Sequence, residues 1–300
     1  MEFKISSSES GQKLLKFLLR KTDGTKVLLY KLFRKGAIKV NGISVSHSSV
    51  INEGDIISLN GLKTIADNRF KDVLSDLSVL YKDKDLIAVD KDENTLVHSA
   101  PGLLYSETLL ERVKAYLYRN NEPYEFLVPV HRIDRNTRGI VLFARNFETS
   151  KKINEYFKAG LVTKVYNAIL EGILAERLFI EADIKREINN NRVTVENLNI
   201  ISNIPDKMLW VNKRYKNSKT ISATIIRPIG NNSRNTMAEI IIWTGRHHQI
   251  RAICEAIGHP VSGDKKYSKN RNGTGQSLLC KRLVIEEMNL FIESKQEIFL

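Results

Sequence analysis

Apolar residues recur three and four apart in "GQKLLKFLLRK" (11–21) and again in "KVLLYKLFRKG" (26–36), with basic residues between them. That spacing predicts two amphipathic helices, and Gly36 stands where a C-terminal glycine would close the second. The pattern then switches to strict alternation. "AIKVNGISVSH" alternates about Asn41-Gly42, a hairpin signal, and "VINEGDIISL" (50–59) adds a turn at Glu53-Gly54-Asp55 and a further short strand. The reading is a helix–helix–hairpin unit over 1–62, followed by a weakly patterned linker, "KTIADNRFKDVLSD", over 63–76.

From 77 to 300 the pattern is mixed. "SVLYKD" (78–83), "LIAVDK" (86–91), "GIVLFARN" (139–146), "VTKVYNAILEG" (162–172) and "AEIIIWTG" (238–245) read as strands. Helices are predicted at about 106–120 from a Ser106 or Thr108 start, at 148–160 closed by Gly160, and at 246–258 closed by Gly258. Residues 183–236 are polar, Asn-rich and weakly patterned, with scattered strand-like pieces such as "KTISATII". No internal repeat is visible. These elements amount to an α+β chain, with a small N-terminal unit ahead of one larger domain.

Composition narrows the class. Three hundred residues at 42 % hydrophobic suffice for one large domain or two ordinary ones. No apolar run is long enough to span a bilayer, and "MEFKISSSES" lacks the apolar stretch of a secretory signal. Two cysteines, Cys254 and Cys280, outside any CxxC motif, cannot staple a chain of this size, so a cytoplasmic protein with reduced thiols is expected.

Charge adds a partner. The net charge is +13, and residues 1–66 hold 11 Lys and Arg against 5 Asp and Glu, almost half of the excess in the first fifth of the chain. A field of that sign attracts polyanions, and nucleic acid is the leading partner. An acidic membrane surface fits less well, because no basic helix carries a broad apolar face.

Several chemistries have no support. GxxxxGK[ST], GxGxxG and HExxH are all absent, as is a nucleophile-elbow serine. His247, His248, Cys254 and His259 do not make a zinc site: adjacent helical histidines diverge by about 100°, and four ligands are not completed. Three stretches remain. "HRIDRNTRG" (131–139) surrounds Asp134 with cations in a loop that feeds a buried strand. It is either a salt-bridged turn or a carboxylate, held ionised, that faces a polyanion. In "TGRHHQIR" (244–251), His247 and Arg251 are four apart, and if their strand shares a sheet with 139–146, Arg251 could reach Asp134. In "TKVYNAILEG", Lys164 and Tyr166 alternate onto one strand face, where a tyrosine packs, stacks on a base or moves a proton.

"HRIDRNTRG", "TKVYNAILEG", "TGRHHQIR" and "GHPVSGDKKY", in this order and spacing, resemble the RluA-type pseudouridine synthases. The N-terminal elements are similar to the S4 RNA-binding domain that many of these enzymes carry. The resemblance implies the pseudouridine synthase fold, a mixed and largely antiparallel sheet with flanking helices, over 77–300. It implies isomerisation of uridine in RNA, most simply large-subunit, 23S-type ribosomal RNA, after base flipping. Asp134 would be catalytic, with Ile133 in the family's leucine place; Arg132 would enter the RNA stack. Tyr166 would pack on the uracil and assist removal of the C5 proton, and Arg251 would pair with Asp134. RNA contacts would come from His131, Arg132, Arg135, Lys164, Arg246 and His248 in the large domain, and from Lys13, Arg34, Lys35, Lys39 and Asn41 in the small unit. No cofactor, metal, nucleotide or membrane is required, and a monomer is expected.

The chain departs from the family at three places. Arg138 replaces a usual serine, Lys91-Asp92-Glu93-Asn94 replaces Lys-Pro-x-Gly, and "SLLCKRL" lacks a usual histidine. The rival functions are an RNA-binding assembly factor with a vestigial site, the same reaction on transfer RNA, and a hydrolase that would need a second acid or a metal.

Overall fold

The computed structural model describes residues 1–22, 26–60, 70, 73, 76–98, 108–187, 192–202, 221–269 and 275–300. They divide into two units, Met1–Asp76 with Glu111–Leu127, and Leu77–Leu110 with Val128–Leu300.

In the first unit, strands β1 (Glu2–Lys4), β3 (Ile38–Val40), β4 (Ile43–Ser44) and β6 (Ile56–Leu59) form a sheet in the order β1-β6-β3-β4. The short β2 (Gln12–Lys13) and β5 (Val50–Ile51) pair separately. Helices α1 (Leu14–Lys21) and α2 (Lys26–Arg34) pack on this frame through Leu14, Phe17, Leu18, Leu29 and Leu32, which meet Ile38, Ile57 and Leu59. Each such buried side chain stabilises the unit by about 1.5–3 kcal/mol. Asn41 (φ 51°) and Gly42 (φ 80°) both take the left-handed conformation of a two-residue hairpin turn. Helix α3 (Leu109–Arg119) enters this unit from Glu111 onward; Ala115 packs with Phe70 and Val73, whose carbonyls accept from Arg119. Most of the expected linker over 63–76, and the Ser106 helix start, lie outside the described residues.

The second unit is built on one large sheet. Its strands are β7 (Ser78–Lys82), β8 (Leu86–Lys91), β9 (Val128–Pro129), β10 (Arg138–Ala144), β11 (Thr163–Glu171), β12 (Leu178–Arg186), β13 (Val193–Ser202), β14 (Ile221–Asn231), β15 (Asn235–Ile242), β16 (Leu278–Ile285) and β17 (Leu290–Glu293). The main order is β13-β12-β14-β15-β11-β16-β10-β8-β7, with β17 beside β16 and β9 beside β10. Among the described strand pairs only β10 with β16 is parallel. Strands β8 and β10 are buried almost throughout, which explains their continuous apolar runs. Helix α4 (Phe147–Ala159) starts at Asn146, whose side chain accepts from Thr149 N at 2.8 Å, and ends at Gly160 (φ 70°). Helix α5 (Gln249–Ala256) follows β15. The outcome is the expected α+β fold with a large, mostly antiparallel sheet.

Two expectations need correction. The stretch read as weakly patterned over 183–236 supplies all of β13 and β14 and the end of β12; only the strand-like piece at "KTISATII", which overlaps β14, was expected. Strand β13 is an edge, exposed over most of its length, so alternation is not imposed on it. The helix expected over 246–258 begins only at Gln249, because His248 turns left-handed at φ 54°. His247 therefore precedes the helix, and Arg251 lies in its first turn.

Candidate active site

Asp134 sits in the loop between β9 and β10, which turns sharply where Thr137 N donates to Asp134 O at 3.1 Å. Gly139, second in β10, has φ 105° and lies so close to β16 that a Cβ there would collide with the Cys280 carbonyl. Strand β15 and helix α5 reach the same place from across the sheet. Arg251 Nη1 donates to Asp134 Oδ2 at 2.7 Å, while its Nε and Nη2 donate to Asp264 at 2.6 and 2.8 Å. Asp264 is fully buried and also accepts from the backbone N–H groups of Lys266 and Tyr267. Burial would raise its carboxyl, but these donors outweigh that and hold it below its ordinary value.

His248 lies behind the same carboxylate. Its Nε2 is 3.7 Å from Asp134 Oδ2, and its Nδ1 is 2.9 Å from the Tyr267 hydroxyl. That hydroxyl also accepts from Val193 N, which fixes it against the imidazole. Burial lowers the imidazole to about 4, so it is neutral at pH 7. The Tyr267 ring lies between two guanidinium groups, Arg251 at 5.1 Å and Arg192 at 4.8 Å. Gln249 fixes the 244–248 loop: its Oε1 accepts from Thr244 Oγ1 and Arg246 N, and its Nε2 donates to Ala223 O and Thr224 Oγ1.

Lys164 and Tyr166 project from β11. Lys164 Nζ donates to Thr244 O at 2.9 Å, and burial lowers the ammonium to about 8. Tyr166 is buried and hydrogen-bonded to Cys280, and burial drives its phenol well up, so it is a neutral surface beside the carboxylate. These groups line a cleft of about 1140 Å³ with Arg132, Trp243, Arg192 and Lys266. Among the described residues, no group of three or more His, Cys, Asp and Glu is placed to hold a metal ion.

Asp134, Tyr166, Arg251, Arg132, Lys164, Arg246 and His248 thus converge, with Arg132 exposed at the rim. Three expected RNA contacts are already engaged. His131 Nε2 accepts from Leu142 N, and its ring is kept neutral, near 3, by burial and by the Lys164 charge. Arg135 Nε donates to Asn94 O. Asn41 closes its own turn by donating to Asp55 and accepting from Ile56 N, so its amide serves the hairpin. Lys13, Arg34 and Lys35 are exposed and Lys39 half-buried on the first unit. Arg138, half-exposed, donates to Glu297 O at 3.4 Å. Sequence reasoning assigned no role to Asp264, although it lies in the quoted "GHPVSGDKKY", nor to Lys91, which is completely buried.

The sequence-family model described as RNA pseudouridylate synthase matches residues 85–256. A "Ribosomal large subunit pseudouridine synthase C" from Haemophilus influenzae is 26 % identical over 289 residues, 92 % of this chain and 83 % of that protein. A "tRNA pseudouridine synthase C" from Haemophilus ducreyi is 28 % identical over 218 residues, 70 % of this chain and 82 % of that one. Of solved structures, that of human RNA pseudouridylate synthase domain containing 1 shares the fold, with TM-score 0.58 and 22 % identity over 75 % of this chain and 85 % of the other. With more than half its length matched by the family model, the chain belongs to the RNA pseudouridylate synthase family and is an RNA pseudouridine synthase.

Proposed function

We propose that this enzyme converts uridine to pseudouridine in large-subunit ribosomal RNA, with Asp134 starting the reaction. The observation that carries the reading is the 2.7 Å bond from Arg251 to Asp134, made by a guanidinium whose other side is fixed on Asp264. A carboxylate so oriented, open to a cleft large enough for a nucleotide, suits an attack on the sugar or removal of its 2′ proton. Both routes break N1–C1′, turn the uracil and join C5 to C1′; the C5 proton leaves and N1 takes one up from solvent, so the atoms balance without a co-reactant. The target base must first leave the stack, and exposed Arg132 at the rim is the side chain suited to take its place. Tyr166, neutral and buried, offers a flat face to the uracil; accepting the C5 proton would require its pKa to fall on binding. The N-terminal 1–62 segment serves as an S4-like module that adds phosphate contacts. The Haemophilus influenzae relative, named for the large ribosomal subunit, supports ribosomal RNA.

The test uses large-subunit ribosomal RNA transcribed with uridine tritiated at C5. The protein should release tritium, and Asp134→Asn should lower release by about 10³-fold or more while leaving the fold intact. Equal release from wild type and Asp134→Asn would refute the aspartate's role. Mapping pseudouridines in cells lacking the protein identifies the target. A site lost from transfer RNA alone would move the substrate to the class named for the Haemophilus ducreyi relative.

A further inference from the structure

Lys91 ends β8 with its side chain entirely buried, and its ammonium donates to three carbonyls: Asp92 at 2.9 Å, Thr95 at 2.9 Å and Arg135 at 2.8 Å. Arg135 follows Asp134 in the chain, so the lysine grips the backbone next to the reactive carboxylate. Arg135 Nε reaches back to Asn94 O at 3.1 Å, and Asn94 is left-handed at φ 62°, which lets the turn double back. Glu93, at the centre of this turn, points elsewhere. Its Oε1 accepts from Gln276 N at 3.2 Å. Its Oε2 lies 2.5 Å from where a Cβ on Gly275 would be, so the carboxylate fills the space of a side chain there. Gln276 in turn donates from Nε2 to Thr137 Oγ1 at 3.0 Å, and both of these residues are buried. Thr137 N closes the Asp134 turn.

We propose that the Lys91–Asn94 turn is a positioning device for the Asp134 loop, and that Glu93 is the positioning residue peculiar to it, acting through Gln276 and Thr137. The proposal rests on the reading of Asp134 as the catalytic group. Two ties flank that residue: Lys91 holds position 135, and Glu93 with Gln276 holds position 137. Glu93 does not line the cleft, whereas Gln276 and Thr137 do. At these positions the sequence departs from the Lys-Pro-x-Gly turn, in which the proline ring and a glycine would set the backbone. Here the lysine is kept, and the left-handed Asn94 and the Glu93 carboxylate stand where those constraints would be. A loop that carries a reacting group has to hold it within a fraction of an ångström, and small displacements cost large factors in rate.

The experiment compares Glu93→Ala, Glu93→Gln, Gln276→Ala, Glu93→Ala with Gln276→Ala, and Asp134→Asn, on tritiated ribosomal RNA transcript under saturating and limiting RNA. Glu93→Ala should lower kcat about tenfold with KM within about twofold. Glu93→Gln keeps an acceptor for Gln276 N and should restore most of the rate. Gln276→Ala should lower kcat similarly, and the double variant should be no slower than the slower single one. Unchanged kcat in Glu93→Ala, with Asp134→Asn inactive, would overturn the positioning role and leave the catalytic reading standing. Activity in Asp134→Asn would remove both. A rise in KM alone, or additive losses in the double variant, would also overturn the proposal. If Glu93→Ala fails to fold, Gln276→Ala decides: a wild-type kcat there rejects the route.

Discussion

Arg251 meets Asp264 side-on, with Nε and Nη2 bonded to the two carboxylate oxygens at 2.6 and 2.8 Å, which leaves Nη1 for Asp134. One guanidinium therefore serves two carboxylates of different exposure, Asp264 sealed and Asp134 open to the cleft. Asp264→Asn keeps the shape but removes the sealed charge. It should cost about 3 kcal/mol of stability and lower kcat between about tenfold and a hundredfold, as Arg251 loses its fixed orientation. Thermal unfolding and steady-state kinetics read the two effects separately. Unaltered kcat would show that Asp134 needs no oriented partner.

Gly139 allows β10 to lie against β16. Gly139→Ala places a Cβ into the Cys280 carbonyl at a φ that L-residues rarely adopt, and should destabilise by about 2–4 kcal/mol. Gly258→Ala is the control: its φ is 80° but nothing lies within 4 Å, so the cost should stay near 1 kcal/mol. Chemical denaturation measures both, and equal losses would show that the close approach is unimportant.

Lys164 gives a pH dependence with opposite signs for rate and stability. Burial lowers its ammonium from 10.5 to about 8. If the charge is used in the cleft, kcat/KM falls as pH rises through 8. Stability moves the other way, since from 8 to 10.5 the unfolded chain binds the proton that the folded chain has lost, so the lysine's contribution rises with pH. Lys164→Arg should move the alkaline fall in rate upward by at least one pH unit. Identical rate profiles for the two proteins would exclude this lysine.

Lys13, Arg34 and Lys35 are exposed on the first unit. Replacing all three by Ala should raise KM and leave kcat within about twofold. The slope of log affinity against log salt should become shallower by about 2–3, near one phosphate contact per cation. An unchanged slope, measured by filter binding from low to high salt, would place RNA elsewhere.

The helices and short strands of the first unit were legible because each shows one clean period. The pairing of Asp134 with Arg251 was legible as a possibility, since Asp134 lies in a loop feeding one strand and Arg251 in a helix that follows another. Its completion by Asp264 was not, because nothing local marks that aspartate as buried. Lys91 hid for a related reason: a lysine after a strand reads as a solvated end, and only three converging carbonyls make burial tolerable. Strand β13 escaped because an edge with little buried surface carries no alternation.

The parallel pairing of β10 with β16 joins Arg138 to Leu279 and Gly139 to Cys280, partners far apart in sequence. During synthesis, β10 therefore waits for a neighbour that leaves the ribosome much later than β8. Until then β10 and β11 present open edges, and the turn before Gly139 has no Gln276 to hold Thr137. Contacts of such span form slowly. The nascent chain thus carries every group that grips Asp134 directly before it has the strand that locks the loop. Only when β16 slots between β10 and β11 is the Asp134 loop held from both sides.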